Sequence, residues 1–186
     1  MEETISVEKN NAKPFKSVTC LHGQTFLVED YQRGYKWGDT EITLLLNDIQ
    51  KHDVNKGPYC LQPIIVMPKD ERVWEIIDGQ QRITSLYLIM QYLSETNETI
   101  QYNIQYNTRD QSQIFLKNTD NFKKILGSEN WQNFIATKPD YNNVDIFHFY
   151  EVYRSIRKWF VEHKNEKVFL KKLIDTLYII WYDVTN

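Results

Sequence analysis

Residues Val73-Trp74-Glu75-Ile76-Ile77 form an apolar run that reads as a strand and stops at Asp78-Gly79. Beyond it, Ile83, Leu86, Tyr87, Met90 and Leu93 recur at i, i+3, i+4, i+7 and i+10, the spacing of a helix with one buried face. A strand therefore has to become a helix within a few residues, and the segment that does it is Asp78-Gly79-Gln80-Gln81-Arg82. A glycine turn there delivers an arginine to a helix N-terminus. Backbone N–H groups point outward at that end and the guanidinium adds a forked donor, a geometry suited to phosphate. An anionic ligand, and a nucleotide in particular, is the expected occupant. The bland alternative is a turn in which Asp78 caps the helix, Gly79 relieves backbone strain and Arg82 pairs locally.

A second segment carries chemistry of its own. Tyr31-Gln32-Arg33-Gly34-Tyr35-Lys36-Trp37 sets three flat rings among two cations. Interleaved aromatic and basic residues suit a nucleotide or an unstacked base. They also suit an aromatic lid over the core, with Arg33 and Lys36 reaching water. The net charge of −3 gives no overall basic field, so any contact with DNA has to come from a local patch.

The rest of the chain supplies a frame. Thr25–Val28 reads as a strand. A helix follows with Ile42, Leu45, Leu46 and Ile49 as its buried stripe and Asp39 or Thr40 as its cap. Residues 61–67 and 72–77 form a hairpin turning at Pro68-Lys69-Asp70, and 100–106 is a further strand. Short helices are predicted over 111–118 and 122–126. From Asn143 a long helix buries Ile146, Phe149, Tyr150, Tyr153 and Phe160, and a second carries Phe169, Leu170, Leu173 and Ile174. Tyr178–Tyr182 closes as a strand. An apolar strand ending four residues before Asn186 reads as part of a longer protein.

The tyrosine-rich loop, the hairpin and the Asp78–Arg82 pentapeptide together resemble the DGQQR-motif family. This is the N-terminal domain family of GmrSD-type, modification-dependent restriction proteins. Tyr106-Asn107-Thr108-Arg109 with the following serine and Phe115-Leu116, and the closing Phe-Leu and Ile-Ile-Trp-Tyr segments, extend the resemblance over about Phe26 to Tyr182. It implies an α+β fold: a ParB/sulfiredoxin-like small mixed sheet with flanking helices, plus a C-terminal helical extension. The corresponding division is a flexible arm over 1–14, a nucleotide-binding core over 15–108, and a helical extension over 109–186.

The resemblance also implies a function. The domain would bind a nucleoside triphosphate, with Mg²⁺ as its companion, and act as an NTPase or regulatory domain in defence against phage. Asp78, Gln80, Gln81 and Arg82 would be the catalytic group. Tyr31, Gln32, Arg33, Tyr35, Trp37, Gly79, Gln81, Arg82 and Arg109 would hold the nucleotide. The DNA-cleaving centre would lie in a separate His-Asn-His-like nuclease domain. His22, His52, His148 and His163 are scattered, so this segment is not expected to cut DNA by itself. Sulfiredoxin carries a reactive cysteine, and ParB an acidic residue, at the position occupied here by Gln80. Sulfinic-acid chemistry is therefore not expected, and Asp78 is the nearest carboxylate for a metal.

Two rivals remain open: a module that reads DNA or a modified base directly through the aromatic loop, and an interaction module whose turn is only a helix cap. Other signatures exclude themselves. There is no P-loop, no His-Glu-x-x-His and no paired Cys-x-x-Cys. Arg154, Arg157 and Lys158 read as a solvated helix face. Cys20 and Cys60 suit two reduced thiols in a cytoplasmic protein, with no leader-like or membrane-spanning run and an oligomer left open.

Overall fold

The computed structural model describes residues 14–185. The expected arm over 1–14 lies outside the described residues except for Pro14, whose carbonyl accepts a hydrogen bond from the Trp181 N–H at 2.7 Å. Among the described residues the strands are β1 (Phe15–Ser17), β2 (Thr25–Val28), β3 (Tyr59–Asp70), β4 (Val73–Asp78), β5 (Asn103–Tyr106) and β6 (Leu177–Asp183). The helices are α1 (Asp39–Lys51), α2 (Gln80–Leu93), α3 (Asp110–Lys117), α4 (Asp120–Gly127), α5 (Trp131–Ala136), α6 (Val144–His163) and α7 (Glu166–Thr176).

The six strands make one mixed sheet in the order β1-β6-β3-β4-β2-β5. β2 runs parallel to both β4 and β5, while β3 is antiparallel to β4 and parallel to β6. Parallel neighbours put the carboxyl ends of β2, β4 and β5 on the same margin of the sheet. The loop after β2, the turn after β4 and the segment 107–109 after β5 therefore emerge side by side. Ligands of open α/β sheets commonly bind at such a margin.

The helices cover this frame. α2 is buried along most of its length, from Gln80 to Leu93, as its nearly continuous apolar run requires. α6 packs against α1, α2, α3 and α4. Phe115 on α3 is a ring hub, meeting Phe122, Phe134, Tyr141 and Phe149 at centroid distances of 5.4–6.3 Å. One hydrophobic cluster runs from Val18 to Trp181.

Several expectations shift in detail. The hairpin turns at Glu71-Arg72, where Arg72 has φ 59°, and not at Pro68-Lys69-Asp70. Pro68 stays inside β3 because the register slips between Pro68 and Asp70, which spares the missing N–H. Only Asn103–Tyr106 pairs as β5, although Ile100 and Tyr102 are buried ahead of it. The α1 cap is Gly38, whose N–H donates to the Glu41 carboxylate at 2.9 Å, so Asp39 and Thr40 lie within the first turn. β1 and α5 have no counterpart in the sequence reading.

The expected extension over 109–186 supplies α3 to α7, and its closing strand then returns to the interior of the sheet. β6 lies between β1 and β3, with Ile179 opposite Leu61 and Trp181 opposite Ile64. Ile179 is fully buried. Ile179→Ala should cost about 2–5 kcal/mol, seen as a lower urea midpoint at unchanged m-value. A loss below about 0.5 kcal/mol, the level of surface substitutions, would place β6 outside the cooperative core.

Candidate functional site

β4 ends at Asp78 and α2 begins at Gln80, so Gly79 alone makes the turn, with φ +100°. A side chain is strained at that φ. A Cβ would also stand 3.0 Å from Ile64 Cγ1 and 3.1 Å from Ile64 Cα on the neighbouring strand. Gly79, and not Asp78, occupies the N-cap position, and no side chain caps the helix. The N–H groups of Gln80, Gln81 and Arg82 thus lack both intrahelical acceptors and a side-chain cap. These three residues border a cavity of about 330 Å³ lined by Tyr31, Gln32, Arg33, Trp37 and the whole segment Ile77–Arg82.

Arg82 is held from behind. β3 shifts register between Leu61 and Ile64, and this irregularity aims Gln62 and the Pro63 carbonyl at the guanidinium. Nη1 donates to Gln62 Oε1 at 3.2 Å, and Nη2 donates to the Pro63 carbonyl and to Asp78 Oδ2, the last at 3.3 Å. The Asp78 carboxylate is 68% exposed, so this pair is a weak surface contact. Arg82 Nε is buried without a hydrogen-bond partner.

The aromatic loop is clasped by the same helix. The Gln81 side chain accepts from the Lys36 N–H at 2.8 Å and donates to the Gly34 carbonyl at 3.1 Å. Gln32 Nε2 donates to the Ile76 and Ile77 carbonyls, leaving its Oε1 buried without a partner. Gln80 Nε2 donates to the buried Tyr106 hydroxyl at 3.3 Å. Tyr106 also meets Thr84 Oγ1, and burial raises its pKa to about 12. Tyr35 turns fully inward, bonding Ser85 Oγ at 2.8 Å, with its pKa pushed far up by desolvation. It does not line the cavity.

Arg109 also sits away from the cavity wall. Its fork holds the buried Asp145 carboxylate, with Nη1 at 2.9 and 3.1 Å, and Nη2 donates to the Gln32 carbonyl at 2.8 Å. Asp145 lies in the first turn of α6, where a carboxylate suits the helix dipole. This ion pair backs Gly34, where an added Cβ would collide with both Asp145 Oδ1 and Arg109 Nη1. A composition-based reading of Arg109 cannot find that role, because its partner is 36 residues away. Gln62, Pro63, Glu75 and Asp145 were likewise not singled out in the sequence. Pro63 inside a strand was the one available signal, since proline marks bulges.

At the rim Tyr31 is 61% exposed, and its hydroxyl donates to Glu75 Oε1 at 2.6 Å. Arg33 and Lys36 are exposed. The site thus assembles Tyr31, Gln32, Arg33, Trp37, Asp78, Gly79, Gln80, Gln81 and Arg82 around one cavity, with Tyr35 and Arg109 behind it.

The family model of the GmrSD restriction endonuclease N-terminal domain matches residues 15–186. The chain belongs to this GmrSD N-terminal domain family. Membership supports a role in phage defence as part of a restriction system. A search of curated proteins gave no match. Among the described residues of this GmrSD N-terminal domain, no helix is long and apolar enough to cross a membrane, and no group of three His, Cys, Asp or Glu side chains could hold a metal ion by itself.

Two outcomes test this geometry. Gly79→Ala should destabilise the fold by about 1–3 kcal/mol, because it combines an unfavourable φ with contact against Ile64; urea unfolding measures it. Glu75 tests the rim. Hydrogen bonds from Lys69 and then Tyr31 hold its carboxyl below the ordinary value of 4.5. A depressed folded pKa means that this stabilisation is present above pH 4.5 and is lost as pH falls through the folded value. Glu75→Gln should therefore be less stable than the wild type at neutral pH, and the gap should shrink on acidification. A gap that stays constant through the carboxylate range would assign the effect to packing.

Proposed function

We propose that this domain binds a nucleoside triphosphate at the β4–α2 turn, hydrolyses it slowly, and passes that state to the DNA-cleaving part of a modification-dependent restriction protein. The single observation that carries this reading is the uncapped α2 N-terminus beside Arg82, bordering a cavity whose lining includes Gln32 and Arg82, two side chains that each keep one buried polar atom without a partner, Gln32 Oε1 and Arg82 Nε. Buried polar groups without partners are rare and call for an explanation. A phosphate chain would meet the amides and the guanidinium. In this reading the turn corresponds to the phosphate-binding turn of ParB/sulfiredoxin-like folds.

The residues divide the work. Gly79 makes the tight turn against Ile64 that starts α2 at this margin, and the N–H groups of 80–82 with Arg82 would carry the phosphate charge. Gln80 Oε1 makes no hydrogen bond among the described residues and would orient an attacking water. Gln81 positions the loop through Gly34 and Lys36, so its effect on ligand is indirect. Arg33 adds an exposed cation at the rim. Asp78 is the carboxylate at the cavity. One carboxylate together with phosphate oxygens matches the way Mg²⁺ is usually held, and the ion would neutralise charge on the β- and γ-oxygens. Arg109 and Asp145 tie the loop to α6, which offers a mechanical route from the site toward a nuclease partner.

Titration calorimetry with each triphosphate and Mg²⁺ tests the proposal. Binding tighter than about 100 µM is expected, a level such a titration registers. Arg33→Ala should weaken it roughly threefold to tenfold, as loss of one exposed charge contact would. Absence of heat with every triphosphate would count against the reading. A second reading rests on Tyr31, exposed beside Arg33: the loop would stack on a modified DNA base. It requires that the protein shift modified DNA without nucleotide and that Trp37→Ala abolish the shift.

A further inference from the structure

The cavity at the α2 N-terminus shares Trp37 and Arg82 with a neighbouring chamber of about 250 Å³. Its other walls come from α1 and β3. Glu41, Leu44, Leu45 and Asp48 lie at i, i+3, i+4 and i+7 of α1, so one helix face turns toward it, and Tyr59 and Gln62 come from the opposite side. Leu44 is 57% exposed, although it stands among apolar neighbours. Asp48 makes a single long side-chain hydrogen bond, accepting from the Tyr59 hydroxyl at 3.4 Å. Gln62 spends its carbonyl oxygen on Arg82, which leaves its NH₂ as donor. The chamber therefore offers flat and aliphatic walls, an amide donor and two carboxylates, of which Glu41 caps α1 and Asp48 has the greater spare acceptor capacity.

We infer that this chamber is the nucleobase subsite of the nucleotide whose phosphates sit at Arg82, and that it favours guanine. The inference rests on the phosphate reading above and deepens it. A flat base would lie against the Trp37, Leu44 and Leu61 side chains that line the chamber. Guanine alone among the four common bases presents two adjacent N–H donors, on N1 and N2, which match the two oxygens of one carboxylate. Its O6 then takes the Gln62 donor. Adenine and cytosine would turn a ring nitrogen lone pair toward Asp48, and uracil offers one N–H flanked by carbonyls, so the carboxylate rejects all three by repulsion.

The test compares GTP, ATP, CTP, UTP and inorganic triphosphate by calorimetry, each with Mg²⁺, on the wild-type protein, Asp48→Asn and Leu44→Trp. GTP is expected to bind about tenfold or more tighter than the other three nucleotides, the discrimination a bidentate pair supplies. Asp48→Asn should collapse that preference to roughly threefold or less. Leu44→Trp, at an exposed position, should fill the chamber and lower GTP to the affinity of inorganic triphosphate. Both variants should bind inorganic triphosphate like the wild type. Four nucleotides bound alike, and no tighter than inorganic triphosphate, would overturn the subsite while leaving the phosphate site standing. So would a preference for another base, or equal loss of inorganic triphosphate in Asp48→Asn. Failure of inorganic triphosphate and all nucleotides to bind would overturn both readings together.

Discussion

The parallel pairing of β2 with β4 and β5 is the constraint on which the rest depends. Three carboxyl ends on one margin force three chain segments to share a small volume. The aromatic loop, the Asp78–Arg82 turn and the segment reaching Arg109 are each ordinary taken singly. The first two enclose a cavity at the N-terminus of a buried helix, and Arg109 holds the loop from behind. The margin also imposes its own demand. Gly79 must pass so near Ile64 on β3 that only a glycine, in a left-handed conformation, makes the turn.

Around that margin the polar side chains act mainly as ties. Gln81 binds loop backbone with both ends of its amide, Gln32 reaches back to β4, and Arg109 joins the Gln32 carbonyl to Asp145 on α6. A buried ion pair such as Arg109–Asp145 adds little net stability, because desolvation offsets the attraction. Its value is geometric: it holds the loop in one place against α6. A cavity built this way is preorganised, and a ligand entering it spends less of its binding energy on ordering the protein. The same ties join the loop to the first turn of a 20-residue helix.

Much of the frame was legible because hydrophobic periodicity reports local structure. The α1 stripe of Ile42, Leu45, Leu46 and Ile49, the hairpin, α2 and the apolar face of α6 were all readable, since burial on one face imposes a repeat on the residues themselves. The three-residue strand β1 was not, because it is too short for any repeat and exists through pairing with β6. α5 was hidden for the same reason: six residues give less than two turns. Asp78 reads as a cap because aspartate before a helix usually is one, yet the turn places Gly79 at the cap and points Asp78 to Arg82.

What the sequence alone determined is which residue types meet at the β4–α2 junction, and that a glycine followed by an arginine opens a helix there. Those are consequences of chain-local sterics and of the unpaired amides that every helix start carries. Only the tertiary structure decided which partners close around that opening. The register slip in β3 brings Gln62 and Pro63 onto Arg82, β6 enters between β1 and β3, and Arg109 is claimed by Asp145 rather than by the cavity. Such contacts join residues tens of positions apart, and strand order, not spacing along the chain, sets their distance.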